Sequence, residues 1–270
     1  LATVCDLVTG LAVIAIVRAL AGGARAALAA GFWFLTPLTV LISLRGMEAA
    51  VSAMFVALVF WRLARLTTRG PPPGAREALI CGVLVGLAGL ARLDNLPVLA
   101  LAVLAWTVCR GRLAARWSPR ARLIWLAAVG SVAALVVLPW FAWSAARFGS
   151  LVPVSGQVKA LIPIHGHLDH DPTSLRGWLE ILTQVTVAPI FYAARFVSLE
   201  EFASARLALV VTAGVVAAVA VPAVVRRRAL AAWLRASGAG PWLVATAIFL
   251  LGHTLLTTVI WRTYLNWYAL

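Results

Sequence analysis

The sequence predicts an all-α, polytopic integral membrane protein of about eight transmembrane helices, with one long extracytoplasmic loop carrying short interfacial helices. Three observations predict it. Of 270 residues, 63% are hydrophobic and only 12% charged, where a soluble domain carries roughly a quarter charged residues. Lipid must therefore cover much of the apolar surface. The apolar residues fall in long runs, such as the charge-free residues 26–44, enough to span a bilayer at about 1.5 Å per residue. The basic residues cluster between those runs. That pattern reads the formal charge of +14 as anchoring against anionic lipid, not as a nucleic-acid surface.

The elements follow in order. Residues 1–17 form the first apolar stretch, interrupted only by Asp6, and a turn at Ala21-Gly22-Gly23-Ala24 leads into the second at 26–44. The third helix begins near Gly46 or Met47 and ends around Arg62 to Arg65, before a linker holding Pro71-Pro72-Pro73. Residues 78–91 and 96–109 are short charge-free runs separated by Arg92-Leu93-Asp94-Asn95. Among so many longer spans they read as a helical hairpin with Arg92 and Asp94 at its tip. Residues 123–146 make a sixth span, with Pro139 able to kink it. Helices one to six thus occupy 1–146, the extracytoplasmic loop 147–204, and helices seven and eight 205–270, as runs 207–225 and 236–261. Both chain ends read as interior to a longer protein. Cys5, Cys81 and Cys109 sit in or beside apolar runs, at spacings of neither a disulfide framework nor a zinc motif.

Alternating spans place Arg18, Arg25, Arg62, Arg65, the 110–122 arginines and Arg226-Arg227-Arg228 on one side, with Glu77 its one acidic residue. The positive-inside rule makes that side cytoplasmic. The other eight acidic residues and all four histidines fall toward the opposite face, so polar chemistry belongs at the outer surface.

Four candidates stand out there. Glu48 belongs to the first turn of the third helix, where the helix dipole stabilises a carboxylate; it either pairs with Arg45 or lines a cavity. Arg92 and Asp94 either close a salt bridge at the hairpin tip, or present a cation to phosphate while Asp94 orients it. Lys159, in the Pro-, Gly- and Ser-rich start of the loop, engages a lipid phosphate or snorkels to headgroups. The tract Ile164-His165-Gly166-His167-Leu168-Asp169-His170-Asp171 offers three imidazoles and two carboxylates to a divalent cation. Its spacing is not that of a zinc protease, and a polar loop packed on the membrane surface is the main reading. The aromatics of residues 174–197 suit interfacial helices, and Thr263-Tyr264-Leu265-Asn266-Trp267-Tyr268 an interfacial belt.

Four stretches carry a resemblance: Ser43-Leu44-Arg45-Gly46-Met47-Glu48-Ala49-Ala50, Gly86-Leu87-Ala88-Gly89-Leu90-Ala91-Arg92-Leu93-Asp94-Asn95, Leu138-Pro139-Trp140, and Phe148-Gly149-Ser150-Leu151-Val152-Pro153-Val154-Ser155-Gly156 with Lys159. In order and membrane placement they resemble the multi-span glycosyltransferases of the C-type (GT-C) fold, whose donor is a polyprenyl-phosphate-linked sugar. Bacterial arabinosyl- and mannosyltransferase-like members are the nearest in pattern. The resemblance implies an enzyme of the bacterial plasma membrane, active on its extracytoplasmic side, whose acceptor is a cell-envelope glycan, lipid or protein. It implies that Glu48, Arg92, Asp94 and Lys159 line the donor or acceptor cavity. A base would activate the acceptor hydroxyl, while basic groups, with or without a divalent cation, stabilise the departing polyprenyl phosphate. The family's acidic residue of the first outer loop aligns before Leu1, and Asp6 lies too deep in its helix to take that role. The catalytic residue is therefore unassigned. The alternative is a transporter or lipid flippase, which predicts polar residues running through the bundle to both faces; a structural assembly protein would instead have a sealed outer surface.

Overall fold

The computed structural model describes residues 1–35, 47–68, 71–113, 117–150 and 238–256, with isolated positions between 225 and 233. Every regular element among them is helical: α1 (Ala2–Ala21), α2 (Gly23–Leu35), α3 (Met47–Thr68), α4 (Ala75–Ala91), α5 (Asn95–Leu113), α6 (Pro119–Phe148) and α7 (Gly240–Leu255). They overlap seven of the expected apolar stretches in order, with different bounds. The expected seventh, at 207–225, and the loop beyond Ser150 lie outside the described residues, Val225 excepted. Among the described residues, three stretches are long and apolar enough to cross a membrane: Ala2–Ala21, Glu48–Thr68 and Pro119–Phe148. Asn95–Arg110 and Gly240–His253 are shorter apolar helices.

Local chemistry explains the boundaries. Gly22, with φ 92°, breaks α1 from α2, a conformation open to glycine because it has no Cβ. The Ser118 hydroxyl accepts from the Ala121 N–H at 3.2 Å, and Pro119 follows as the first residue of α6. At its far end Gly149 adopts a left-handed C-cap, φ 64°, its N–H donating to the Ala145 carbonyl at 2.9 Å. The helix continues through Pro139.

The hairpin helices are longer than the charge-free runs that predicted them. α4 has 17 residues and α5 has 19, or about 25 and 28 Å at the helical rise. Charged residues at their ends continue the helices because the bundle satisfies them. Arg62 of α3 pairs with Glu77 in the first turn of α4. Arg110 of α5 donates to the Thr67 carbonyl at 2.8 Å and the Pro71 carbonyl at 3.3 Å, satisfying acceptors at the end of α3 and beyond. Its guanidinium also lies 5.6 Å from the Trp106 ring centroid. Both Arg62 and Arg110 are buried. This corrects their placement among arginines that anchor to lipid headgroups: these two turn into the protein.

Small residues set the packing. A Cβ on Gly82 would stand 2.6 Å from the Val132 Cβ, and one on Gly86 would stand 2.7 Å from the Val136 Cβ. One turn apart on α4, these glycines let α6 approach at backbone range, as small residues do between membrane helices. Gly252 of α7 meets Val98 of α5 similarly, at 3.1 Å from a Cβ to Val98 Cγ1. The shared core holds Val59, Leu63, Cys81, Ala88, Leu99 and Ala102, all fully buried. On α6 the buried residues Trp125, Val129, Ala133 and Val137 recur every fourth position. Leu123, Ile124, Leu135 and Leu138 face outward. One narrow stripe faces protein, and the remainder suits hydrocarbon.

Candidate functional site

The described helices bring the acidic candidates to one end of the bundle. Glu48 lies in the first turn of α3. Arg92 follows the last turn of α4: it is extended, φ −152° and ψ 120°, and its N–H donates to the Ala88 carbonyl at 3.0 Å. The chain then reverses in a tight turn closed by the Asn95 N–H donating to the Arg92 carbonyl at 3.0 Å. Asp94 sits in that turn and Asn95 opens α5.

The Arg92 guanidinium grips Asp94 with two bonds, Nε to Oδ1 at 3.2 Å and Nη2 to Oδ2 at 3.1 Å. A bidentate pair of this kind fixes the plane of the guanidinium as well as its position. Glu48 Oε1 lies 3.9 Å from Arg92 Nε, an ion-pair distance too long for a hydrogen bond. The side chains of Arg92 and Asp94 are 15% and 8% exposed, whereas that of Glu48 is 70% exposed. The inner pair is thus largely buried and Glu48 forms its exposed rim.

Counted together, the three side chains carry one positive and two negative formal charges. Asp94 already holds Arg92, so its part in this arrangement is to orient the guanidinium. The exposed carboxylate of Glu48 is an acceptor for hydroxyl donors. The Glu48–Arg45 pairing cannot be followed, since Arg45 lies outside the described residues, as do Lys159, the tract 164–171 and the aromatics at 174–197 and 263–268. Among the described residues no group of three His, Cys, Asp or Glu side chains is placed to hold a metal ion.

Three further residues belong to this end, none singled out by the sequence. Asn95 is 2% exposed, and its Nδ2 donates to Ser52 Oγ at 2.7 Å and to the Ala88 carbonyl at 3.1 Å. Ser52, also buried, follows Glu48 by one helical turn. His253 near the end of α7 stacks on Phe249 with ring centroids 5.7 Å apart and lies within electrostatic range of Asp94 and Arg92. Asn95 stood in the tip motif only beside the charged pair, and an isolated serine or histidine in an apolar run has no spacing to mark it. The available signal was its polarity near a helix end, on the face carrying the acidic residues.

The opposite end is basic and aromatic. Trp106, Trp117 and Trp125 pack mutually at 5.7–6.1 Å between centroids, and the Trp106 Nε1 donates to Thr67 Oγ1 at 2.8 Å. Between the ends the core is aliphatic, with Leu63, Val85, Leu99 and Val103 buried. No family model matches the chain, and neither does any curated protein or solved structure.

Proposed function

We propose that the chain is part of a membrane glycosyltransferase that moves a sugar from a polyprenyl-phosphate donor to a cell-envelope glycan, lipid or protein acceptor. In this reading the whole segment crosses the bilayer about eight times, with residues 207–225 as the seventh crossing. The acidic end faces the extracytoplasmic side of a bacterial plasma membrane, and the arginine-rich end the cytoplasm.

The observation that carries the reading is the meeting of Glu48, from the first turn of α3, with Arg92 and Asp94 of the α4–α5 turn at one end of the bundle. A sugar presents hydroxyls that donate to carboxylates, and its departing phosphate needs fixed cationic donors. Glu48 supplies the first. Arg92, oriented by Asp94, supplies the second at the rim, and Lys159 adds the positive charge that this excess of carboxylate requires. A transporter fits less well, because the described core between the two ends is aliphatic and gives a polar solute no path.

The test is sugar transfer by the full-length protein in nanodiscs, offered polyprenyl-phosphate pentoses and hexoses with envelope glycan acceptors. The expected result is a glycosylated acceptor and released polyprenyl phosphate. Arg92→Ala should lower kcat/KM by roughly 10- to 100-fold, the scale of one charge-assisted contact. Arg92→Lys should recover little of it, because a lysine cannot reproduce the two-bond grip on Asp94. An absence of turnover across the panel, together with ion-coupled solute uptake, would sink the proposal.

A further inference from the structure

We infer that Asn95 is a positioning residue: through Ser52 it sets where Glu48 stands relative to the Arg92–Asp94 pair. Its kinetic consequence rests on the glycosyl-transfer reading, whereas its structural consequence does not.

The contact between Glu48 and Arg92 is too weak to place Glu48. The carboxylate is 70% exposed and 3.9 Å from Nε, and exposed ion pairs of that length are screened and add little. The first turn of α3 needs another restraint, and Asn95 provides one. Its amide donates to Ser52 Oγ at 2.7 Å and to the Ala88 carbonyl at 3.1 Å, with both side chains buried. The same Ala88 carbonyl accepts from the Arg92 N–H at 3.0 Å. One amide group therefore ties the end of α4, which delivers Arg92, to the turn of α3 that follows Glu48. Four residues apart, Glu48 and Ser52 share a helix face, so a restraint at Ser52 is a restraint on the direction in which Glu48 projects. Asn95 also follows Asp94 directly in the chain, so both carboxylates are referenced to one side chain.

Geometry distinguishes this role from generic packing. The hydrogen-bond partners of the Asn95 amide are a hydroxyl and a carbonyl, and the side chain is buried. If it acts by placing Glu48 against the Arg92–Asp94 pair, its effect should shrink when Glu48 has no carboxylate.

The experiment is a double-mutant cycle with a spectroscopic arm, both on the full-length protein in nanodiscs. Asn95→Ala and Ser52→Ala should each lower kcat/KM for sugar transfer by about tenfold. Ser52→Thr, which keeps the hydroxyl, should stay near wild type. In a Glu48→Gln background, Asn95→Ala should cost less than twofold; equal losses in both backgrounds would mean a merely structural role. For the spectroscopic arm, Cys5, Cys81 and Cys109 are replaced by alanine and spin labels are placed at Ala49 and Leu90. Asn95→Ala should weaken and spread the dipolar coupling between them. If wild type transfers no sugar yet Asn95→Ala spreads the coupling, the glycosyltransferase reading fails and the restraint stands. Unchanged coupling in Asn95→Ala overturns the restraint, whatever the activity.

Discussion

Thr67 shows how a single side chain can serve two partners in a helix bundle. Its hydroxyl donates to the Leu63 carbonyl at 2.7 Å and accepts the Trp106 indole N–H at 2.8 Å, while its own carbonyl accepts Arg110. Trp106 is fully buried, so loss of that acceptor leaves a donor with no water to replace it. Thr67→Val, which keeps the shape and removes the oxygen, should cost about 1–3 kcal/mol, the scale of a stranded buried donor. Thermal unfolding in detergent reads this as a lowered Tm. Trp106→Phe added to Thr67→Val should cost less than the two single losses together, because the second change removes the donor that the first stranded. Strict additivity would mean that the bond contributes nothing net.

At the scale of elements, the α4–α6 contact depends on two absent side chains, and the two differ in a testable way. A Cβ at Gly86 would meet chiefly the Val136 side chain, with the Ala133 carbonyl at 3.0 Å. At Gly82 the backbone itself is in the way, the Val129 carbonyl lying 2.8 Å off. Gly86→Ala and Gly82→Ala should each destabilise by about 1–3 kcal/mol through overpacking. Val136→Ala and Val132→Ala remove the Cγ1 contacts at 2.9 and 2.8 Å but keep the Cβ atoms at 2.7 and 2.6 Å, so each should relieve only part of its glycine's loss, and less at Gly82, where the carbonyl stands closer. Gly130, with open space around its would-be Cβ, is the control, and Gly130→Ala should be neutral or mildly stabilising. Unfolding in detergent checks all five variants, and equal rescue at both sites would contradict the backbone clash.

The same scale shows what could be read from residues alone. Apolar runs located six described helices in order and the last one, because lipid exposure demands long apolar stretches whatever the packing. Their ends were less legible. Arg62, Glu77 and Arg110 read only as charges of the arginine-rich side, yet tertiary partners draw them inside. At the acidic end, residue type flagged Glu48, Arg92 and Asp94. The Arg92–Asp94 salt bridge was one of two readings of the hairpin tip, and the structure forms it; the approach of Glu48 was invisible, since Glu48 opens α3, Arg92 follows α4 and no local period connects them. Asn95 and Ser52 were less legible still: their importance lies in one hydrogen bond between two helices, a relation that no single run records.

For the whole molecule, the decisive quantity is which end faces which compartment. Contacts fix the relative ends without reference to a bilayer. The starts of α3 and α5 meet through Ser52 and Asn95, and the end of α7 packs beside the first turn of α5, where Gly252 meets Val98. Away from these lie the end of α3, the start of α4 and the end of α5, joined by Arg62–Glu77 and Arg110–Thr67. α6 starts there too, its Trp125 against Trp106, and runs for 30 residues, about 45 Å at the helical rise, to Phe148. That exceeds a hydrocarbon core of about 30 Å, so the helix is long enough for its two ends to reach opposite headgroup layers. Single cysteines at Arg120 and Arg147, in a background without Cys5, Cys81 and Cys109, read this directly. Both positions are exposed. A membrane-impermeant thiol reagent should label Arg147→Cys in intact cells, and Arg120→Cys only after permeabilisation. Arg76→Cys at the start of α4 should follow Arg120→Cys. If Arg147→Cys and Arg120→Cys label from one side, α6 does not cross. If the order is reversed, α6 crosses but the arginine-rich end lies outside, which removes the orientation on which the extracytoplasmic site depends.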